Sequence, residues 1–194
     1  MTVQVILASS SKSRLSLLKQ INIIPDLVIS PDIDETPRKA EKPLTMIKRL
    51  AKEKGDKIAA EHPDKIVISA DTVSIVAGKM LVKTYSPEQE LEYLNLISGK
   101  RHRLHSAVCV QWRNQKYLCE KIVTSSLKFK RFTKQEITEY VASKQWQGCS
   151  GGYAIEGLAG KYLAWLSGSF SNVLGLPLYE VNNMLTACGF YNKK

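Results

Sequence analysis

Apolar residues recur along the chain with two periods, and their alternation predicts most of its elements. Val3 to Ala8 is an almost unbroken apolar run, the pattern of a strand buried on both faces. Ser9 to Ser13 follows as a polar turn, and Leu15, Leu17 and Leu18 supply the apolar side of a short helix over Arg14 to Gln20. Leu27-Val28-Ile29 predicts a second strand. Between Leu44 and Glu61, Leu44, Ile47, Leu50, Ala51, Ile58 and Ala59 keep helical spacing, with Lys48, Arg49, Lys52 and Lys54 distributed around the cylinder. A strand from Lys65 to Ala70 comes next, then a hairpin whose arms are Val73 to Val76 and Met80 to Val82, turning at Ala77-Gly78-Lys79.

The second half continues the alternation. Pro87 at a first turn and Gly99 beyond the end bracket a helix over Pro87 to Ile97. Ala107 to Trp112 and Tyr117 to Phe129 read as long strands joined at Arg113-Asn114-Gln115. Thr133 caps a helix over Lys134 to Ala142. After a run of glycines, Lys161 to Leu166 predicts a last strand and Pro177 to Ala187 a closing helix. Strands and helices alternate without a strict βαβ rhythm, so the expectation is an α/β fold with a mixed sheet and helices on its faces. With no internal repeat and no low-complexity linker, residues 1–194 are read as a single domain, with two lobes and a cleft between them.

Composition narrows the class. The 194 residues carry 28 Lys and Arg against 18 Asp and Glu, for a formal charge of +10. The basic residues are spread along the chain and form no recognisable nucleic-acid module, so specific nucleic-acid binding is not expected and a solvated surface is. No apolar run approaches the ~20 residues that span a bilayer, and no basic region precedes the first strand, which points to the cytoplasm and to no membrane partner. The four cysteines (Cys109, Cys119, Cys149, Cys188) are too widely separated for a zinc ribbon and read as reduced thiols. His102 and His105 are three apart in a strand-like segment and therefore point to opposite faces, a poor metal pair.

Four places could hold chemistry. Ser9, Ser13 and Arg14 lie between a strand and a helix N-terminus, where backbone N–H groups favour phosphate oxygens, although serine capping explains the same segment. Asp34-Glu35 and Asp71 are hard oxygen donors of the kind magnesium uses beside substrate phosphates, and a carboxylate there can also take a proton from water. Loop carboxylates are more often solvated. Arg14, Lys54 and Lys83 could neutralise a polyphosphate, or simply belong to the surface. Gly151-Gly152-Tyr153-Ala154-Ile155-Glu156-Gly157 permits close backbone approach and offers in Glu156 an acceptor for the N–H groups of a base, with a plain glycine turn as the alternative.

Taken in order, Ile6-Leu7-Ala8-Ser9 with Arg14, Asp34-Glu35, Arg49-Leu50-Ala51-Lys52-Glu53-Lys54, Ala70-Asp71-Thr72-Val73, Ser98-Gly99 with His102, Tyr153-Ala154-Ile155 with Gly157, and Asn172 through Leu178 resemble the Maf family of nucleotide pyrophosphatases from nearly one end to the other. The resemblance implies a long twisted sheet with a central cleft, and cleavage of nucleoside triphosphates to monophosphate and pyrophosphate with Mg2+ or Mn2+. It implies Asp71 as proton acceptor, Glu35 beside it in metal binding and catalysis, and Arg14, Lys54 and Lys83, with Ser9, as phosphate contacts. It also implies house-cleaning of non-canonical or excess nucleotides and a homodimer.

Departures from the family pattern fall at defined places. Ser13 stands where an arginine is usual, Cys149 where a lysine is common, and Thr84 where a proline follows the lysine matched by Lys83. Thr72 resembles the dTTP/UTP-cleaving branch, whereas Glu156 resembles the branch acting on 7-methylguanosine triphosphate. A carboxylate in place of an amide removes two donors, so the base contacts differ. Ser13, Thr72 and Glu156 are therefore the specificity positions. The competing reading is a low-turnover nucleotide-binding regulator of cell division.

Overall fold

The first apolar run becomes β1 (Val5–Ala8), buried at every position because it lies between two parallel neighbours, β2 (Leu27–Val28) and β3 (Ile66–Val76). Parallel neighbours need crossovers, supplied here by α1 (Lys12–Gln20) and α2 (Pro43–Glu61). β4 (Lys79–Leu81) returns antiparallel to β3 through Ala77 and Gly78, both at positive φ as a tight hairpin requires. There follow α3 (Pro87–Ile97), β5 (Arg101–Trp112), β6 (Tyr117–Phe129), α4 (Lys134–Ser143), β7 (Leu163–Ser167), α5 (Phe170–Val173) and α6 (Leu178–Ala187). The strand order is β2-β1-β3-β5-β6-β7, with β4 on β3. This computed structural model describes residues 3–193, and its mixed sheet with flanking helices is the α/β architecture that the pattern predicts.

The largest difference from the sequence expectation concerns β3. In place of a strand ending at Ala70 and another beginning at Val73, one strand runs through Asp71 and Thr72. Its first part pairs with β1 from Ile66 to Ser69 and its last part with β4 from Ser74 to Val76, so pairing on both sides carries the acidic residue into mid-strand. β5 likewise begins at Arg101 rather than Ala107. Residues Leu158–Tyr162 form a 3-10 turn, which delays the last strand to Leu163. The four-residue α5, capped by Ser169, is an element that the apolar pattern does not predict.

The chain divides into two compact units whose segments alternate along the sequence. One comprises the residues up to Asp71, Ser106–Val123 and those from Gly175 onward; the other comprises Thr72–His105 and Thr124–Leu174. In the first, Ile6, Ala8 and Val67 of the sheet pack with Ile58 and Ala59 of α2. The core of the second is dominated by aromatic rings, including Tyr93, Phe129, Tyr140, Trp146, Tyr153 and Tyr162. Phe129 and Tyr153 meet edge to face at 5.1 Å, an arrangement that aromatic quadrupoles favour.

Within that aromatic core lies a carboxylic acid. Glu90 occupies the buried stripe of α3 together with Tyr93, Leu94 and Ile97, and it is 0% exposed. Neither carboxyl oxygen has a hydrogen-bond partner among the described residues. Gly152, at φ 78°, passes so close that a Cβ there would stand 2.0 Å from Glu90 Oε2. Burial pushes the Glu90 carboxyl up to about 9, so at neutral pH the folded chain holds it as the neutral acid.

That proton links stability to pH. An unfolded glutamate releases its proton near pH ~4.3, while the folded one keeps it until about 9. Stability from this group is therefore whole at acid pH and declines as pH rises between those values. Glu90→Gln, neutral at every pH, is expected to be more stable than the parent by roughly 1–3 kcal/mol at pH 7. The gain should shrink toward pH 5 and grow toward pH 9. Urea unfolding of both proteins across that range checks this, and parallel stability curves would refute it.

Candidate functional site

Strand and helix periods together bring Lys54 to Asp71. On β3, Ser69 and Asp71 are two apart and share a face. On α2, Ala51, Lys54, Gly55 and Ile58 follow at steps of three, one and three, and all four are buried on one stripe. The faces meet where the Ser69 hydroxyl donates to the Ala51 carbonyl at 2.6 Å. One step along each element, the Lys54 ammonium donates to Asp71 Oδ1 at 2.7 Å. Lys54 is 5% and Asp71 8% exposed, so the pair is largely withdrawn from water.

Gly55 sets how closely the two elements approach. A Cβ at this position would lie 2.6 Å from Gln111 Nε2 and 2.8 Å from Ser69 Oγ. The glycine costs helix propensity, about 1 kcal/mol relative to alanine, and in return the helix comes near enough for Lys54 to reach the strand.

The second carboxylate comes from the loop between β2 and α2. Glu35 Oε1 is 2.9 Å from the same Lys54 nitrogen, and its side chain remains 47% exposed. One ammonium thus bridges two carboxylates of different burial. Arg14 stands in the same electrostatic neighbourhood: burial lowers the pKa of its guanidinium, and the charges of Asp71 and Glu35 oppose that shift. Its Nε donates to the Gly175 carbonyl at 2.9 Å, and Nη1 donates to the Ala70 carbonyl at 2.9 Å and to Ser9 Oγ at 3.1 Å. Arg14 therefore ties α1 to the residue before Asp71 as well as contributing positive charge. Ser11 accepts from the Arg14 backbone N–H, so serine capping of α1 is present in this segment.

The remaining predicted positions divide by unit. Ser13 is half-buried on α1. Thr72, half-buried, is the next residue of β3 after Asp71, and its carbonyl accepts from the Ser150 hydroxyl at 3.0 Å. Lys83 is exposed and bridges Ser150 in antiparallel fashion. The neighbouring Thr84 carbonyl accepts from Gly148 N–H. Within the second unit, Lys83 and the run from Gly148 to Gly157 are thus stitched together, with Glu156 exposed on that run. Burial pushes the Cys149 thiol up to about 11, with Glu156 and Glu90 adding to the effect, so it is a neutral thiol rather than a nucleophilic thiolate.

The histidines separate as their spacing requires. His102 Nε2 meets the Tyr153 hydroxyl at 3.0 Å and His105 Nδ1 the Thr124 hydroxyl at 2.8 Å. Burial lowers His102 to about 4, leaving it neutral in an aromatic core. All four cysteines are free. Among the described residues no three His, Cys, Asp or Glu side chains gather as a metal cage, and no helix is long and apolar enough to cross a membrane.

Sequence reasoning passed over two features. One is Arg49, read from the helix only as a distributed cation, which is bound to Glu41, Glu53 and the Thr36 carbonyl. The other is Glu90. Of the two, Glu90 sits at a position that a helical count flags, since it falls in register with Tyr93, Leu94 and Ile97.

Comparison with known proteins adds to this geometry. The family model described as Maf-like protein matches residues 4–188. A nucleoside triphosphate pyrophosphatase of Ehrlichia chaffeensis is 48% identical over 93% of this chain and 94% of its own length. A dTTP/UTP pyrophosphatase of Zymomonas mobilis is 42% identical over 98% of this chain and 94% of its own. Among solved structures, a HAM1 protein from Coxiella burnetii covers 69% of this chain and 76% of its own at 15% identity and a TM-score of 0.46.

The packing of α2 on β3 gives a direct expectation. Gly55→Ala should destabilise the protein by roughly 1–2 kcal/mol despite its better helix propensity, because its Cβ must displace Ser69 or Gln111. Adding Gln111→Ala removes one of the two obstacles and should recover part of the loss. Chemical denaturation of the single and double variants measures both steps; a stabilised Gly55→Ala would mean that the helix does not approach the strand this closely.

Proposed function

Because the chain belongs to the Maf family, we propose that it hydrolyses nucleoside triphosphates to the monophosphate and pyrophosphate, removing non-canonical or excess nucleotides. The observation that carries this reading is the pair of carboxylates, Asp71 and Glu35, held on the single ammonium of Lys54. Cleaving a phosphoanhydride needs a positioned water, a proton acceptor and positive charge along the phosphates. Asp71, the more buried of the two carboxylates, takes the proton of the attacking water. Lys54 orients Asp71 before substrate arrives, and it contributes charge to the phosphates afterwards. Arg14 adds fixed positive charge beside them, and Lys83 is the further cation proposed to contact phosphate.

The donor set also suits a divalent ion. Glu35 and Asp71 are two hard carboxylates already converged on one cation, and with no cage of three acidic, His or Cys groups among the described residues, the fit is to Mg2+ or Mn2+ bound together with substrate phosphates. When bound, such an ion neutralises charge on the triphosphate. The protein's own part is to present Glu35 and Asp71 as its ligands and to hold Lys54 between them.

Choice of base is proposed to rest on Ser13, Thr72 and Glu156. The names carried by the relatives are those of hydrolases, which does not favour a low-turnover regulator of division.

The reading is tested with purified protein and Mg2+ or Mn2+ against dTTP, UTP, CTP, 7-methylguanosine triphosphate and modified pyrimidine triphosphates, with products resolved by chromatography. Monophosphate and pyrophosphate in equal amounts are expected. Asp71→Asn should lower kcat by about 10²–10⁴ while the variant still folds and binds nucleotide. Release of orthophosphate alone, or an unchanged rate in Asp71→Asn, would be incompatible with this mechanism.

A further inference from the structure

Glu35 stands on a segment with no helix or strand of its own from Ile29 to Lys42, and with Pro31 and Pro37 within it. A catalytic carboxylate in such a place needs something to hold it within a fraction of an ångström of its working position. Lys54 alone cannot do so, because an ammonium is a point charge that permits many approaches.

One guanidinium meets the requirement. Arg49 lies on α2, five residues before Lys54, with 11% of its side chain exposed. Its Nε and Nη2 donate to the two oxygens of Glu41, each at 2.7 Å, the fork-to-carboxylate geometry that fixes orientation as well as distance. Nη2 also donates to the carbonyl of Thr36, the residue after Glu35, at 3.3 Å. Nη1 donates to Glu53 at 2.9 Å, and Glu53 in turn receives Arg38 at 2.8 Å. Glu41 closes the circuit by accepting the Arg38 backbone N–H at 3.0 Å. The segment from Thr36 to Glu41 is thereby fastened to α2 at its backbone and through two side chains, Glu41 on Arg49 directly and Arg38 by way of Glu53. Thr36 N–H donating to Asp34 Oδ1 at 2.9 Å turns the chain on the other side of Glu35.

We infer that Arg49 is a positioning residue for the reaction: by clamping the Thr36–Glu41 segment to α2, it sets where Glu35 meets Lys54 and Asp71. Arg49 does not touch Lys54 or Asp71 itself, so it acts through Glu35. Arg49 and Lys54 both stand on α2, so the helix sets the spacing between the clamp and the ammonium that Glu35 meets. The inference rests on the proposed role of Glu35 in hydrolysis.

The experiment is a double-mutant cycle of Arg49→Lys with Glu35→Gln, using the triphosphate that the parent cleaves fastest. Arg49→Lys keeps the charge and loses the fork. In the parent it should reduce kcat by about tenfold or more, with KM changed less than about threefold, since a small misplacement of a catalytic group is costly. In the Glu35→Gln background it should add less than about twofold. As a control, Lys52→Gln removes the outward-facing pair with Asp56 on the same helix and should leave the rate unchanged. Hydrogen exchange is the second readout: peptides spanning residues 32–41 should exchange faster in Arg49→Lys, with the rest of α2 protected as before.

An equal loss of rate in both backgrounds would show a merely structural role and overturn the proposal, as would unchanged exchange over residues 32–41. A full rate in Glu35→Gln itself would instead refute the role given to Glu35, and with it any positioning toward catalysis, while Asp71→Asn continued to test hydrolysis separately.

Discussion

Much of the first unit is organised around one interaction, the ion pair of Lys54 with Asp71. Taking two charges out of water is costly, and their attraction offsets that cost only when the geometry is good and the remaining polar atoms are satisfied. Here the Lys54 nitrogen is 2.7 Å from Asp71 and 2.9 Å from Glu35, so the attraction acts at short range from two carboxylates. Reaching that distance makes demands elsewhere. α2 must lie against β3 with a glycine at the contact, Ser69 must donate across it, and Arg14 must hold the Ala70 carbonyl so that the strand stays in place. A pair of this kind is weak evidence of stability, since an apolar pair of similar volume often does as well.

The two units contain contrasting solutions to a charged residue on a buried helical stripe. Lys54 on α2 is answered by two carboxylates and stays close to them. Glu90 on α3 is answered by none, and the protein instead keeps it protonated. The first solution pairs the charged group with partners; the second removes charge from an aromatic core. The neighbouring Cys149 and His102 are likewise held neutral by burial. Charge chemistry is therefore concentrated around Asp71, and the second unit's interior contributes packing.

Most of the fold is legible in the sequence because most elements obey a single period. The strand at Val5–Ala8, the helices at Pro43–Glu61 and Pro87–Ile97, and the β5–β6 hairpin are read from apolar spacing and caps. β3 is misread because an acidic residue and a threonine interrupt its apolar run, while the pairing that sustains them lies with β1 and β4, far off in the chain. The site is half legible. Asp71 and Glu35 are nameable as carboxylates, but Lys54 looks like one cation among four until the helix is counted: Ile47, Ala51, Lys54 and Ile58 fall on one stripe, so the lysine points inward. Arg49 could not be read at all, since its partners Thr36 and Glu41 belong to a segment with no periodicity.

The departures from the family pattern bear on which part of the reaction they can alter. Asp71, Lys54, Glu35 and Arg49 all coincide with segments that resemble the family, so the residues proposed for proton transfer and charge handling are present. Three of the four departures, Thr84, Cys149 and Glu156, lie instead in the second unit, on the two segments joined by the Lys83–Ser150 bridge and the Thr84–Gly148 hydrogen bond. Cysteine for lysine removes a positive charge there, the thiol itself being neutral, and glutamate for glutamine adds a negative one. Both changes act in the same direction, making that surface less hospitable to phosphate and a better acceptor for N–H donors. In the proposed reading, choice of base and cleavage of the anhydride are assigned to different residues, because recognition of a base rests on complementary donors and acceptors whereas cleavage of the anhydride does not.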